Sequence, residues 1–276
     1  MSIFENILYG LVSGFTEFLP VSSRAHQILL RYMFGVEARN FLQEFLVHIG
    51  LLFSIFFGCR ESLSRLRREQ KRASSLRYKS RNSLDPKSYY DIRLLKTASF
   101  PLVIGLILSF NTTKMEGNLL IVMAFLLVNA LVVFLAEHTQ HGNRDSRTMT
   151  ALDGIIMGVL GSLSVFPGIS RTGMISAYTT VRGADYAHVT NWAILLGIPA
   201  TIFFICFDIF CLITVGVGVI SFPLFAGYLL AGISAFVGGY ISISIFQTIL
   251  NHAGFSRFAY YSVGVALFTF LLYLIT

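Results

Sequence analysis

Six stretches of the chain, at about 41–58, 92–110, 118–137, 190–211, 219–240 and 257–275, are each apolar over about the 20 residues that a helix needs to cross a bilayer. No water reaches the hydrocarbon core to satisfy backbone N–H and C=O groups, so runs of this length fold as helices. With 55% hydrophobic and 13% charged residues, the chain is more apolar than a soluble domain of 276 residues. The expected class is an all-α polytopic membrane protein. Residues Met1 to Glu5 lack the basic start of a cleaved leader, so the first apolar segment is expected to be retained. Cys59, Cys206 and Cys211 have no metal-ligand spacing and read as small hydrophobes.

Segments 1–34 and 151–185 differ from the six runs. Each is interrupted by the same short polar motif, Pro20-Val21-Ser22-Ser23-Arg24 in one and Pro167-Gly168-Ile169-Ser170-Arg171 in the other. Both are too broken to span and too apolar to lie in water. Two re-entrant hairpins resolve the conflict, with protein rather than lipid around their tips. Each half then holds one hairpin and three transmembrane helices. Three crossings are odd, so the hairpins enter from opposite faces and the halves form an inverted repeat with a shared site near the midplane. The chain reads as a single membrane domain, with repeat 1 at about 1–137, a basic loop at about 60–91 and repeat 2 at about 151–276.

From Arg60 to Lys96 there are twelve Lys and Arg against four Asp and Glu, an excess of eight where the whole chain carries +7. The positive-inside rule makes this loop cytoplasmic. Residues 1–34 then enter from the outer face, 151–185 from the cytoplasmic face, and both termini lie outside. The basic residues are assigned to topology and not to nucleic acid, with anionic headgroup contact as a secondary effect.

Charged groups at both tips point to chemistry or binding, because ionisable residues at membrane depth are costly. Arg171 offers a fixed fork of donors suited to phosphate. Glu17 is a counter-charge or metal ligand, and the serines Ser22, Ser23 and Ser170, with Thr172 beside them, open helices whose N–H groups receive anions. His26 follows Ser23 by one helical turn, a spacing that allows a hydroxyl nucleophile and a proton-transfer partner.

The run from Gly14 to Ser23 followed by His26, with Pro167-Gly168-Ile169-Ser170-Arg171-Thr172-Gly173 about 150 residues later, resembles the undecaprenyl-diphosphate phosphatase family, the bacitracin-resistance phosphatases. The resemblance covers nearly the whole chain, including Phe100-Pro101 to Gly105 and Gly197-Ile198-Pro199. It implies a multi-pass enzyme of the bacterial inner membrane, with a site opening to the outer face. Undecaprenyl diphosphate is cut to the monophosphate carrier used in peptidoglycan synthesis, with a divalent cation, Mg²⁺ or Ca²⁺, as cofactor. Carried over by position, Glu17 is a catalytic acid and metal ligand, Ser23 the proposed nucleophile, His26 a general acid/base and Arg171 the phosphate-binding arginine. Ser22, Arg24, Ser170, Thr172 and Gly173 fall at substrate-binding positions. Whether Ser23 attacks or Glu17 activates water stays open at this level.

This chain departs from the family pattern at the site. Ser13 stands where an acid or amide is usual, Arg24-Ala25 replaces Thr-Gly, Thr172 replaces a serine, Ile175 a threonine and His48 a glutamine. Loss of a carboxylate weakens a site for hard cations, while Arg24 adds a second possible phosphate clamp. Two functional classes follow, a polyprenyl-diphosphate phosphatase and a non-hydrolytic carrier of a lipid phosphate built on the same repeat.

Overall fold

The computed structural model describes residues 1–36, 38–79, 90–139, 142–216 and 220–275. In chain order its helices are α1 (Ile3–Glu17), α2 (Ser23–Met33), α3 (Phe41–Gly58), α4 (Arg60–Lys79), α5 (Tyr90–Leu106), the short α6 (Ser109–Thr112) and α7 (Leu119–Glu137). The second half contains α8 (Ala151–Ser162), α9 (Arg171–Val181), α10 (Tyr186–Leu195), α11 (Gly197–Val215), α12 (Phe222–Ala253) and α13 (Ser256–Ile275). No strand occurs among the described residues beyond an isolated bridge between Arg144 and Ala184.

Six helical stretches are long and apolar enough to cross a membrane: Phe41–Gly58, Tyr90–Thr112, Leu119–Glu137, Tyr186–Val215, Phe222–Leu250 and Ser256–Ile275. They coincide with the six expected runs. The fourth is two helices, α10 and α11, meeting at Leu196, with Pro199 in the first turn of α11 where its missing N–H costs nothing. The fifth begins three residues later than expected, with Pro223 in its first turn, and continues to Ala253. The basic segment is helical from Arg60 to Lys79, and its remainder at 80–89, with Arg81, Asp85 and Lys87, lies outside the described residues. Phe100 and Ile213 are 73% and 78% exposed, as side chains that meet lipid are.

The two interrupted segments form helical pairs. At about 1.5 Å per residue, even the 15-residue α1 reaches about 22 Å, short of the roughly 30 Å core. The base of the first pair lies beside the start of α3, where Gln43 Nε2 donates to Asn6 Oδ1 at 2.8 Å and the Tyr9 hydroxyl donates to Glu44. The base of the second lies beside the start of α5, where Arg93 donates to the Met149 carbonyl at 3.5 Å.

Small residues let the short helices lie close to long ones. A Cβ on Gly10 or Gly14 of α1 would fall 2.0 and 2.2 Å from the carbonyl oxygens of Ala231 and Ala235 on α12, and one on Gly158 of α8 would fall 2.2 Å from that of Ala98 on α5. Dense packing of this kind holds membrane helices together where no hydrophobic driving force acts between them.

Candidate active site

The two hairpin tips meet, and an unforeseen residue joins them. Asn129, fully buried on α7, donates through Nδ2 to the Pro20 carbonyl at 3.0 Å and accepts through Oδ1 from the Ser170 N–H at 2.9 Å. The Ser170 hydroxyl donates to the Leu19 carbonyl at 3.1 Å and accepts from the Gly173 N–H at 3.0 Å. Thr172 Oγ1 donates to the Glu17 carbonyl at 3.1 Å. These bonds satisfy turn groups that would otherwise be stranded away from water.

A cavity of about 60 Å³ at this junction is lined by Glu17, Ser23, Arg24, Gln27, Arg39, His48, Ser164, Ile169, Ser170, Arg171 and Phe204. Glu17 from the first segment and Ser164 from the second thus face the same space. Arg171 is 5% exposed, and its Nη1 lies 2.9 Å from Glu17 Oε1. Its Nε and Nη2 are buried without a hydrogen-bond partner. Two buried, unspent donors of a permanent cation beside a polar cavity suit an acceptor that is an anion. The Ser23 hydroxyl, at the first turn of α2, donates to the Ser13 carbonyl at 3.1 Å.

Of the expected site residues, Glu17, Ser23, Arg24, Ser170 and Arg171 line this cavity. Four do not. His26 Nδ1 contacts the Ser22 carbonyl at 2.8 Å, and its Nε2 contacts the Tyr261 hydroxyl at 2.9 Å while the two rings stack. It borders instead an apolar groove with Leu29, Met33 and Phe268. One turn beyond Ser23 on α2, His26 packs against Tyr261 of α13 instead of the cavity. Ser22 caps α2, accepting from the Ala25 N–H, and is 1% exposed. Thr172 and Gly173 join the tips: a Cβ on Gly173 would stand 3.1 Å from Asn129 Oδ1 and 3.3 Å from the Pro20 Cβ.

Arg24 is held from the far side. Its Nε donates to Glu116 Oε1 at 2.8 Å and its Nη1 to the Val165 carbonyl at 3.0 Å. Glu116, in the turn before α7, also binds Arg31 at 2.5 Å and lies 3.6 Å from Arg39. Burial alone would raise the Glu116 carboxyl, but the guanidiniums of Arg39, Arg24 and Arg31 outweigh it and hold it at about 2. Arg31, Arg39 and Glu116 border a wider cavity of about 630 Å³, and Arg39 is common to both spaces.

The donor set does not fit a divalent ion held by the protein alone. Three guanidiniums, of Arg24, Arg39 and Arg171, face the single carboxylate of Glu17, itself paired with Arg171. Among the described residues no three His, Cys, Asp or Glu side chains converge as a metal site. Ser13, where a second acid would stand, is fully buried and spends its hydroxyl on the Tyr9 carbonyl at 2.6 Å.

Asn129, Arg39, Glu116 and the buried pair His48–Asp208 went unread as functional residues in the sequence. Asn129 and Asp208 carried a usable signal, since each is a lone polar group inside an apolar run. Arg39 and Glu116 lie in turns and carried none.

Residues 6–268 match the family model described as bacitracin resistance protein BacA. A protein of Alkaliphilus metalliredigens, named undecaprenyl-diphosphatase, is 30% identical over 266 residues, covering 95% of each chain. Relatives of the same name from Treponema denticola and Methanosphaera stadtmanae are 28% and 27% identical, covering 97% and 99% of this chain and 96% and 98% of their own.

Proposed function

Because the chain belongs to the family of bacitracin resistance protein BacA, we propose that it hydrolyses undecaprenyl diphosphate to undecaprenyl phosphate and inorganic phosphate. The reaction would return the carrier to peptidoglycan and envelope-polymer synthesis. The observation that carries this reading is Arg171, whose buried Nε and Nη2 lack partners beside Glu17 and Ser23. A terminal phosphoryl group supplies the missing acceptors. Charge stabilisation of this kind dominates phosphoryl transfer, in which the protein has little covalent work to do. The carrier reading shares the site but draws no support from relatives named for the hydrolase.

The enzyme is read as an inverted repeat in the bacterial inner membrane. Support comes from the hairpin bases, beside the starts of α3 and α5, and from the exchanged pairing of α1 with α12 and α8 with α5. The wider cavity lies among the turns before α3 and α7, at the opposite end of the spans from the basic α4. That end is the outer face if α4 is cytoplasmic. The lipid diphosphate enters there, its polyprenyl chain remaining in the bilayer. Mg²⁺ or Ca²⁺ would enter this reading only as a counter-ion carried by the diphosphate, since the one lining carboxylate, Glu17, is paired with Arg171.

The deciding experiment measures phosphate release from a C55 isoprenyl diphosphate by the purified protein, with Mg²⁺, with Ca²⁺ and with chelator. Arg171→Ala is expected to lower release at least about 10²-fold, the effect of removing one preorganised electrostatic group. Background release by the wild type with retained lipid-phosphate binding would favour the carrier.

A further inference from the structure

His26 faces away from the cavity, yet another histidine faces into it. His48 of α3 lines the space with Glu17, Ser23 and Arg171. Its Nδ1 lies 2.6 Å from Oδ2 of Asp208 on α11, and its ring stacks on Phe204 with centroids 5.3 Å apart. A carboxylate only accepts, so Nδ1 carries the proton, and Nε2 is left as the basic nitrogen with no hydrogen-bond partner among the described residues. Asp208 is fully buried, and its Oδ1 has no partner. A carboxylate is costly at such depth, and one that also orients a cavity-lining imidazole has the form of an acid–histidine pair built for proton transfer.

Resting on the phosphatase reading, we infer that His48, oriented by Asp208, is the general base of this site and takes the place assigned to His26 by resemblance. The nucleophile, a water or the Ser23 hydroxyl, forms a bond to the terminal phosphorus and gives its proton to His48 Nε2. The bond from that phosphorus to the bridging oxygen breaks, and its electron pair leaves with the lipid monophosphate. His48 then releases the proton to the departing phosphate or to water. If Ser23 attacked, a second water cleaves the phosphoserine by the same transfer and restores the hydroxyl. Asp208 positions and stabilises the imidazolium without receiving the proton.

The charged groups around the imidazole are Asp208 from α11, Glu44 one turn earlier on α3, Arg39 from the preceding turn, Arg24 from α2, and Glu17 and Arg171 from the tips. The test is the pH profile of kcat for phosphate release from the C55 diphosphate, in wild type, His48→Gln, Asp208→Asn and His26→Gln. His48→Gln keeps a polar side chain of similar reach on α3, and its folding is checked by elution and thermal unfolding in detergent. The expected result is a fall in kcat of at least about 10²-fold in His48→Gln with KM within about threefold, and loss of the acidic limb of the profile. Asp208→Asn should lose about tenfold or more and shift that limb. An acidic limb that persists in His48→Gln and vanishes in His26→Gln would overturn the inference and leave the phosphatase standing. An inactive wild type that still binds the lipid diphosphate would sink both.

Discussion

Asn129 is the residue on which the site's geometry turns, because one amide serves a carbonyl of the first tip and an N–H of the second. Asn129→Leu keeps the branched outline of the side chain and strands both groups where no water replaces the bond. Each lost partner costs about 1–3 kcal/mol, so the unfolding midpoint in detergent should drop clearly. Phosphate release should fall at least about tenfold, since small misplacements of reacting groups are expensive. Unchanged midpoint and activity would show that Asn129 does not fix the tips. Ser22 makes a complementary case. It is the single described non-glycine residue with positive φ, at φ 65 and ψ 90, whereas the second tip uses Gly168 at φ 119. Strain of this kind costs on the order of 1–3 kcal/mol, so Ser22→Gly should raise thermal stability while Ser22→Ala lowers it. That the tips carried the site was legible from the repeated Pro-x-x-Ser-Arg. Which side chains face inward was not, because residues three apart on a short helix diverge wherever the cavity is narrow, as Ser23 and His26 do.

At the scale of elements, the helices were legible because lipid leaves the backbone no alternative, and Pro199 and Pro223 set starts that hydropathy alone blurred. Contacts between elements far apart in sequence were not legible, and the turn before α7 is the clearest example. Glu116 binds Arg24 and Arg31 from two cavity walls, yet in sequence it is a single acid in a short polar loop. Its carboxyl is depressed from an ordinary 4.5 to about 2, so it stabilises the fold fully above about 4.5 and loses that contribution as pH falls toward 2. Denaturant unfolding in detergent at about pH 6 and about pH 3.5 should show a loss in the wild type and a smaller one in Glu116→Gln. Equal losses in both would remove Glu116 as the source. The seam between α1 and α12 gives a steric counterpart. Gly14→Ala places a Cβ 2.2 Å from the Ala235 carbonyl, which backbone must move to relieve. Overpacking of this kind costs about 1–3 kcal/mol, and because Glu17 lies one turn further along α1, phosphate release should fall with stability.

At the scale of the whole molecule, charge supplies the sidedness on which the proposal of an outward-opening site rests. Arg60, Arg65, Arg67, Arg68 and Lys71 gather at the start of α4, at the end of the spans away from Glu116 and Arg39. Moving such a cluster across the bilayer is what the positive-inside bias opposes. The protein's cysteines permit a clean test, since Cys59 and Cys211 are buried and only Cys206 is exposed. In a Cys206→Ser background, exposed positions at the two ends report on the two faces: Lys114 in the turn before α7 and Ser64 on α4. A membrane-impermeant maleimide should label Lys114→Cys in intact cells and Ser64→Cys only after permeabilisation. The reverse pattern would turn the site toward the cytoplasm. The proposed diphosphate substrate would then have to be reached from the cytoplasmic side.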